Sequence, residues 1–104
     1  MTKLICARDG DEFSILAKGH AGFAPIGKDI VCAGISILLQ TLIVHLNTEE
    51  YDLKEGALWV HGQGENAVAA YELTMTGLRL LEYEYGRYIE VQEGCTIISQ
   101  SPLV

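Results

Sequence analysis

The sequence predicts an α/β fold, a small mixed β-sheet packed with two helices in the order β-β-α-β-β-α-β. Three observations carry that expectation. Short apolar or alternating segments are separated by turn signals such as Asp9-Gly10-Asp11-Glu12 and Glu55-Gly56. Two longer stretches, beginning near Asp29 and Glu65, carry apolar residues at helical spacing. Strands adjacent in the chain and joined by tight turns pair antiparallel, so the sheet is not all parallel.

Lys3 to Asp9 suits a first strand and Phe13 to Lys18 a second, joined as a hairpin. Gly19 to Lys28 holds Gly19, Gly22, Gly27 and Pro25, which mark a loop able to move. Asp29 opens a long helix. Its carboxylate can accept from first-turn N–H groups and complements the positive helix end. The helix runs to about Asn47 and is apolar nearly all round, which predicts burial on more than one face. One face against the sheet and another against a second subunit satisfies that pattern, and a homodimer is expected. Tyr51 to Lys54 and Ala57 to Gly62 read as strands around Glu55-Gly56. Glu65 to Tyr85 forms the second helix, with Val68, Tyr71, Met75 and Leu78 at helical spacing and Gly86 as its stop. Arg87 to Gln92 is the last strand, and Thr96-Ile97-Ile98 is a candidate short addition. No repeat, low-complexity tract or linker divides the chain, so residues 1–104 read as one domain.

Apolar residues make up 49% of the chain and charged residues 20%, which excludes a disordered tail. Seven Lys and Arg stand against 14 Asp and Glu, a net charge of -7. That balance argues against nucleic acid as partner, because phosphate binding needs cations. Cys6, Cys32 and Cys95 form no CxxC pair and no Cys/His cluster, so no metal and no cofactor is expected. An odd cysteine count fits a reducing compartment. The N-terminal apolar run is too short for a signal peptide. The stretch from Ile30 to Leu46 is interrupted by Gln40, Thr41 and His45 and reads as a buried helix, with no membrane partner.

The chemistry lies in the glycine loop and the start of the long helix. With Asp29 as the cap, Cys32 occupies the third helical position, where free N–H groups and the helix dipole favour thiolate. His20 lies twelve residues upstream, and a folded-back loop can bring its imidazole to the sulfur as a nucleophile–base pair. First-turn amides can stabilise an oxyanion. Asp29 either orients His20 or only caps the helix. Ser36, one turn after Cys32, shares its face and can donate within the site or back-bond to the helix.

The run Gly19-His20-Ala21-Gly22-Phe23, followed by Gly27-Lys28-Asp29-Ile30-Val31-Cys32-Ala33-Gly34-Ile35-Ser36, resembles the signature of the bacterial ribosomal-processing cysteine proteases. In that family a GHAG(Y/F) loop precedes a DIVCAAVS helix. The chain departs from it at Gly34, where the family commonly has alanine, and a helical glycine costs roughly 1 kcal/mol. The resemblance implies a small cytoplasmic homodimer. It implies an endopeptidase that removes a short N-terminal extension from a basic large-subunit ribosomal protein, cutting after a pair of aromatic residues. By the same resemblance His20 and Cys32 are catalytic and Asp29 and Ser36 supporting. Gly19, Ala21, Gly22, Phe23 and Gly27 then form the substrate loop.

Acidic residues at Asp9, Asp11, Glu12, Glu49, Glu50, Asp52 and Glu55 suit a basic substrate. Two alternatives stand beside the protease: a dimeric adaptor that binds a basic ribosomal protein without cutting it, and a redox-sensing thiol. Elsewhere, Cys6 and Cys95 are expected to be inert. His45 and His61 are expected in core or surface positions. Trp59 is expected on one sheet face, and Tyr83, Tyr85 and Tyr88 in packing or a dimer contact.

Overall fold

The Asp9–Glu12 turn folds β1 (Thr2–Asp9) back on β2 (Glu12–Lys18), which pair antiparallel from Asp9↔Glu12 to Lys3↔Lys18. The computed structural model describes residues 1–25 and 27–103; Ile26, within the glycine loop, and Val104 lie outside them. The chain continues through α1 (Ile30–Leu46), β3 (Tyr51–Lys54), β4 (Ala57–Gln63), α2 (Glu65–Tyr85) and β5 (Ile89–Gly94). The strands form one sheet in the order β3-β4-β2-β1-β5. Among the described residues only the β1–β5 pair is parallel. This is the mixed sheet and element order that turn spacing and helical periodicity predict. Among the described residues no helix is long and apolar enough to cross a membrane.

Alternation along each strand sends Leu4, Cys6, Phe13, Ile15, Leu58, Val60, Ile89 and Val91 into one core with the helices. Phe13 and Tyr71 meet there with ring centroids 5.1 Å apart. The helices approach each other closely over glycines. A Cβ at Gly34 would stand 3.2 Å from Leu81, and one at Gly77 would stand 2.7 Å from Leu38. Gly34 therefore serves helix packing.

Within the chain α1 is buried on one side only, through Val31, Ile35, Leu39 and Leu42. Ile30, Ile37 and Val44, seven residues apart, remain 55%, 64% and 77% exposed. The near-uniform apolarity of the helix thus overstates its burial within one chain. Asn47 ends α1 in the left-handed conformation, with its N–H on the Val44 carbonyl. Gly86 ends α2 at φ -59°, so the stop does not use the left-handed freedom of glycine.

Two expectations at the C-terminus are corrected. β5 begins at Ile89, not Arg87, because Tyr88 N–H closes a turn on the Tyr85 carbonyl at 2.8 Å. Thr96–Ile98 adds no strand. That segment bonds instead to side chains on the outer sheet face. Ile98 N–H donates to Ser14 Oγ, and Trp59 Nε1–H donates to the Ile98 carbonyl, both at 2.9 Å. Ser101 Oγ donates to Asp52 Oδ2 at 2.8 Å and fastens the tail to β3.

The same outer face carries His61, buried between Glu12 and Glu50, with ring nitrogens 2.6 and 2.5 Å from their carboxylates. Burial disfavours the imidazolium, but hydrogen bonds to Glu12 and Glu50 outweigh it and raise the titration of His61. A group that titrates higher when folded contributes stability below its unfolded value, 6.5 here, and loses it as pH rises through the folded one. Urea midpoints should therefore fall between about pH 6 and pH 8, and the His61→Gln profile should be flatter. Parallel profiles for the two proteins would remove His61 as the cause.

Candidate active site

Asp29 ties the glycine loop to the helix. Its backbone is extended, at φ -87° and ψ 100°, as a cap requires. Oδ1 accepts Val31 N–H at 3.0 Å and Cys32 N–H at 2.9 Å. Oδ2 accepts Phe23 N–H at 3.0 Å and Ala24 N–H at 3.4 Å. Burial pushes the carboxyl up, yet the N–H groups of Cys32, Ala24 and Phe23 hold it below the usual carboxylate range. Four backbone donors fill this carboxylate, and among the described residues none of its bonds reaches His20. Asp29 is thus a cap and a loop anchor.

That arrangement also changes the expected oxyanion site. The N–H groups of Val31 and Cys32 are spent on Asp29 Oδ1, and Ala33 N–H donates to the Asp29 carbonyl at 3.0 Å. The N–H groups of Val31, Cys32 and Ala33 are therefore engaged with Asp29. The amide near the sulfur comes from the loop: Ala21 N–H donates to Cys32 Sγ at 3.3 Å. Ala21 is 2% exposed and Cys32 is half-buried. No side-chain signal marks Ala21 in the sequence, because its contribution is a backbone group.

His20 is exposed and stands against the β3–β4 turn. Gly19 N–H donates to the Gly56 carbonyl at 2.8 Å, and a Cβ on Gly56 would lie 3.4 Å from His20 Nε2. Gly19 itself has φ +91°, and a Cβ there would be 2.7 Å from the Met1 carbonyl oxygen, so only glycine fits. His20, Cys32 and Ser36 line the same two cavities. One, of about 160 Å³, is walled by Ile35, Leu39, Leu53 and Leu58. The other, of about 600 Å³, lies under Gly22, Ala24 and Gly27 and reaches Glu55. Among the described residues no hydrogen bond joins His20 to Cys32, and Ser36 Oγ makes none.

The far side of the loop is held by aromatics. The Phe23 ring packs edge-on against Tyr85 and Tyr88, with centroids 5.4 and 5.2 Å away. The tyrosine cluster legible in the sequence is thus in part a loop clamp, while Tyr83 stays exposed. Cys6 is fully buried, and burial pushes its thiol up to about 12, with Glu93 adding to the effect. It is no nucleophile at neutral pH. Cys95 is exposed, and His45 lies exposed in the last turn of α1.

A half-buried cysteine under a loop amide, sharing two clefts with a histidine, is an arrangement for thiol chemistry. Comparison with known proteins agrees. The family model described as cysteine protease Prp matches residues 1–90. The ribosomal processing cysteine protease Prp of Mycoplasma genitalium is 29% identical over 85 residues, covering 76% of this chain and 86% of that protein. The crystal structure of the essential ribosomal processing protease Prp from S. aureus, with a covalently linked product peptide, superposes at TM-score 0.76 with 25% identity. It covers 89% of this chain and 99% of that one. SMU.848 from Streptococcus mutans shares the fold at TM-score 0.72 and 20% identity, over 92% of this chain and 96% of its own. From the sheet and the cysteine-bearing helix to the family match over residues 1–90, the chain belongs to the Prp family of cysteine proteases.

Proposed function

We propose that this protein is a cytoplasmic endopeptidase that removes a short N-terminal extension from a large-subunit ribosomal protein, cutting after a pair of aromatic residues. The supporting observation is the Cys32 sulfur, held by the Ala21 N–H where two cavities shared with His20 meet. The relatives named ribosomal processing proteases, one of them linked to a product peptide, supply the substrate class.

In this reading the Cys32 thiolate attacks the scissile carbonyl carbon. A C–S bond forms and the carbonyl electron pair moves to oxygen. Negative charge leaves the sulfur as it builds on that oxygen, so the Ala21 N–H can follow it from one atom to the other. Ser36 Oγ, free in the same cavities, is a second donor. Collapse of the intermediate breaks the C–N bond, and protonated His20 gives its proton to the departing amine. His20 then takes a proton from water, which attacks the thioester carbon, and the C–S bond breaks to restore the thiolate. The apolar cavity walled by Leu53 and Leu58 suits an aromatic side chain. Acidic Glu49, Glu50, Asp52 and Glu55 near the β3–β4 hairpin favour a basic chain. The exposed Ile30, Ile37 and Val44 stripe on α1 serves a homodimer.

The test is incubation with a synthetic peptide carrying an aromatic pair followed by a small residue and lysines. Mass spectrometry should show one cut, after the second aromatic residue. Binding of the peptide without any cut would favour the adaptor reading.

A further inference from the structure

Antiparallel strands alternate between residue pairs that exchange two backbone hydrogen bonds and pairs that exchange none. His61 N–H donates to the Glu50 carbonyl at 3.0 Å, in the register that continues as Tyr51↔Val60, Asp52↔Trp59, Leu53↔Leu58 and Lys54↔Ala57. The bonded pairs between β3 and β4 are therefore Asp52 with Trp59 and Lys54 with Ala57. Tyr51 and Leu53 turn their N–H and C=O groups away from β4. Since β3 is the outermost strand, those groups face the sheet edge, and among the described residues no backbone hydrogen bond reaches them.

Natural sheets blunt such edges, because a free ladder pairs with any extended chain. Among the described residues the tail bonds to β3 through the Asp52 side chain, not through the backbone of the strand. Two further observations say what the edge receives. Leu53 is 60% exposed and is also a wall of the cavity that holds Cys32 and His20, so the edge runs directly into the site. Directly opposed residues share a face, so Tyr51 and Leu53 point to the helix side with buried Val60 and Leu58. Exposed Glu49, Glu50 and Glu55 flank the strand and outnumber the exposed cation Lys54 at its end.

We propose that the free edge of β3 is the substrate-binding strand. An extended basic peptide adds to it through the main-chain groups of Tyr51 and Leu53, and alternate peptide side chains enter the cavity beside Cys32. This mode of capture rests on the protease reading above and gives it a docking geometry: the backbone supplies affinity, and the cavity selects an aromatic residue.

Proline at position 53 removes only an outward N–H, because that group is outside the ladder, and edge strands tolerate proline there. Leu53→Ala controls for the lost side chain. With the aromatic-pair peptide, Leu53→Pro should raise KM about tenfold beyond Leu53→Ala, with iodoacetamide labelling of Cys32 the same in the two variants. On the wild-type protein, single N-methylation along the peptide should raise KM at every second residue and not between. Equal KM for Leu53→Pro and Leu53→Ala, or N-methyl effects without that period, would overturn the proposal. Should Leu53→Pro fail to fold, the N-methyl series decides alone. Wild-type protein that cuts no such peptide overturns the protease reading and this inference with it. Cutting without the edge effects overturns only the inference.

Discussion

Cys32→Ala should lower kcat on the aromatic-pair peptide by about 10⁴ or more and cost no more than about 1 kcal/mol of folding stability. The first figure follows from the chemistry: without sulfur no thioester forms, and what remains is binding and an oxyanion donor acting on water. The second follows from the position. Cys32 is half-buried on a helix that buries Val31, Ile35, Leu39 and Leu42, so alanine loses one weak bond from the Ala21 N–H and little packing. His20→Ala should lose about 10²–10⁴ in kcat, the usual worth of a positioned acid–base. Iodoacetamide on a Cys95→Ser background separates the roles. Cys32 should be the labelled thiol, because Cys6 is sealed in the core with its thiol pushed up to about 12. Cleavage by Cys32→Ala at the wild-type rate would end the assignment.

What could be read from the residues, and what could not, follows from the kind of interaction involved. The hairpin at Asp9–Glu12, the Asp29 cap and the two helices are local devices, written in turn residues and periodicity, and the structure has them within a residue or two. β5 starts two residues later than alternation predicts: Arg87 and Tyr88 alternate like strand residues, but a turn bond to Tyr85 holds Tyr88 back. Thr96–Ile98 is β-prone by composition, yet its bonds go to Ser14 and Trp59, partners far away in the chain. The site divides the same way. Side chains with chemistry of their own, Cys32 and His20, stand out in sequence. Ala21 and Phe23 are marked there only as members of the resembling loop and Leu53 not at all, because the amide, the clamp and the wall each matter only through what folding sets beside them. The first-turn amides illustrate the limit from the other side. They are legible as free donors at a helix start, but the same Asp29 that makes the start legible takes those of Val31 and Cys32.

Asp29→Ala tests whether that anchor matters to the chemistry as well as to the fold. Loss of a helix cap costs about 0.5–2 kcal/mol. Here the same side chain also holds Phe23 N–H and Ala24 N–H, so the loop is released along with the first turn of α1. The Ala21 N–H is only two residues from Phe23, and its placement over the sulfur depends on that loop. kcat/KM should therefore fall by about 10²-fold, well beyond what partial unfolding explains at neutral pH. Phe23→Ala removes the ring from between Tyr85 and Tyr88 but leaves both carboxylate bonds, so its effect should be milder and appear mainly in KM. The acid side supplies an independent check. A carboxyl held below its unfolded value of 3.8 contributes stability above that pH and loses it as pH falls through the folded value. The stability gap between wild type and Asp29→Ala should thus be full at about pH 7 and shrink below about pH 4, measured by urea unfolding. A constant gap would mean that the carboxylate charge is not what binds the loop. A variant that is less stable yet cuts at the wild-type rate would mean that the loop closes over the sulfur without its anchor.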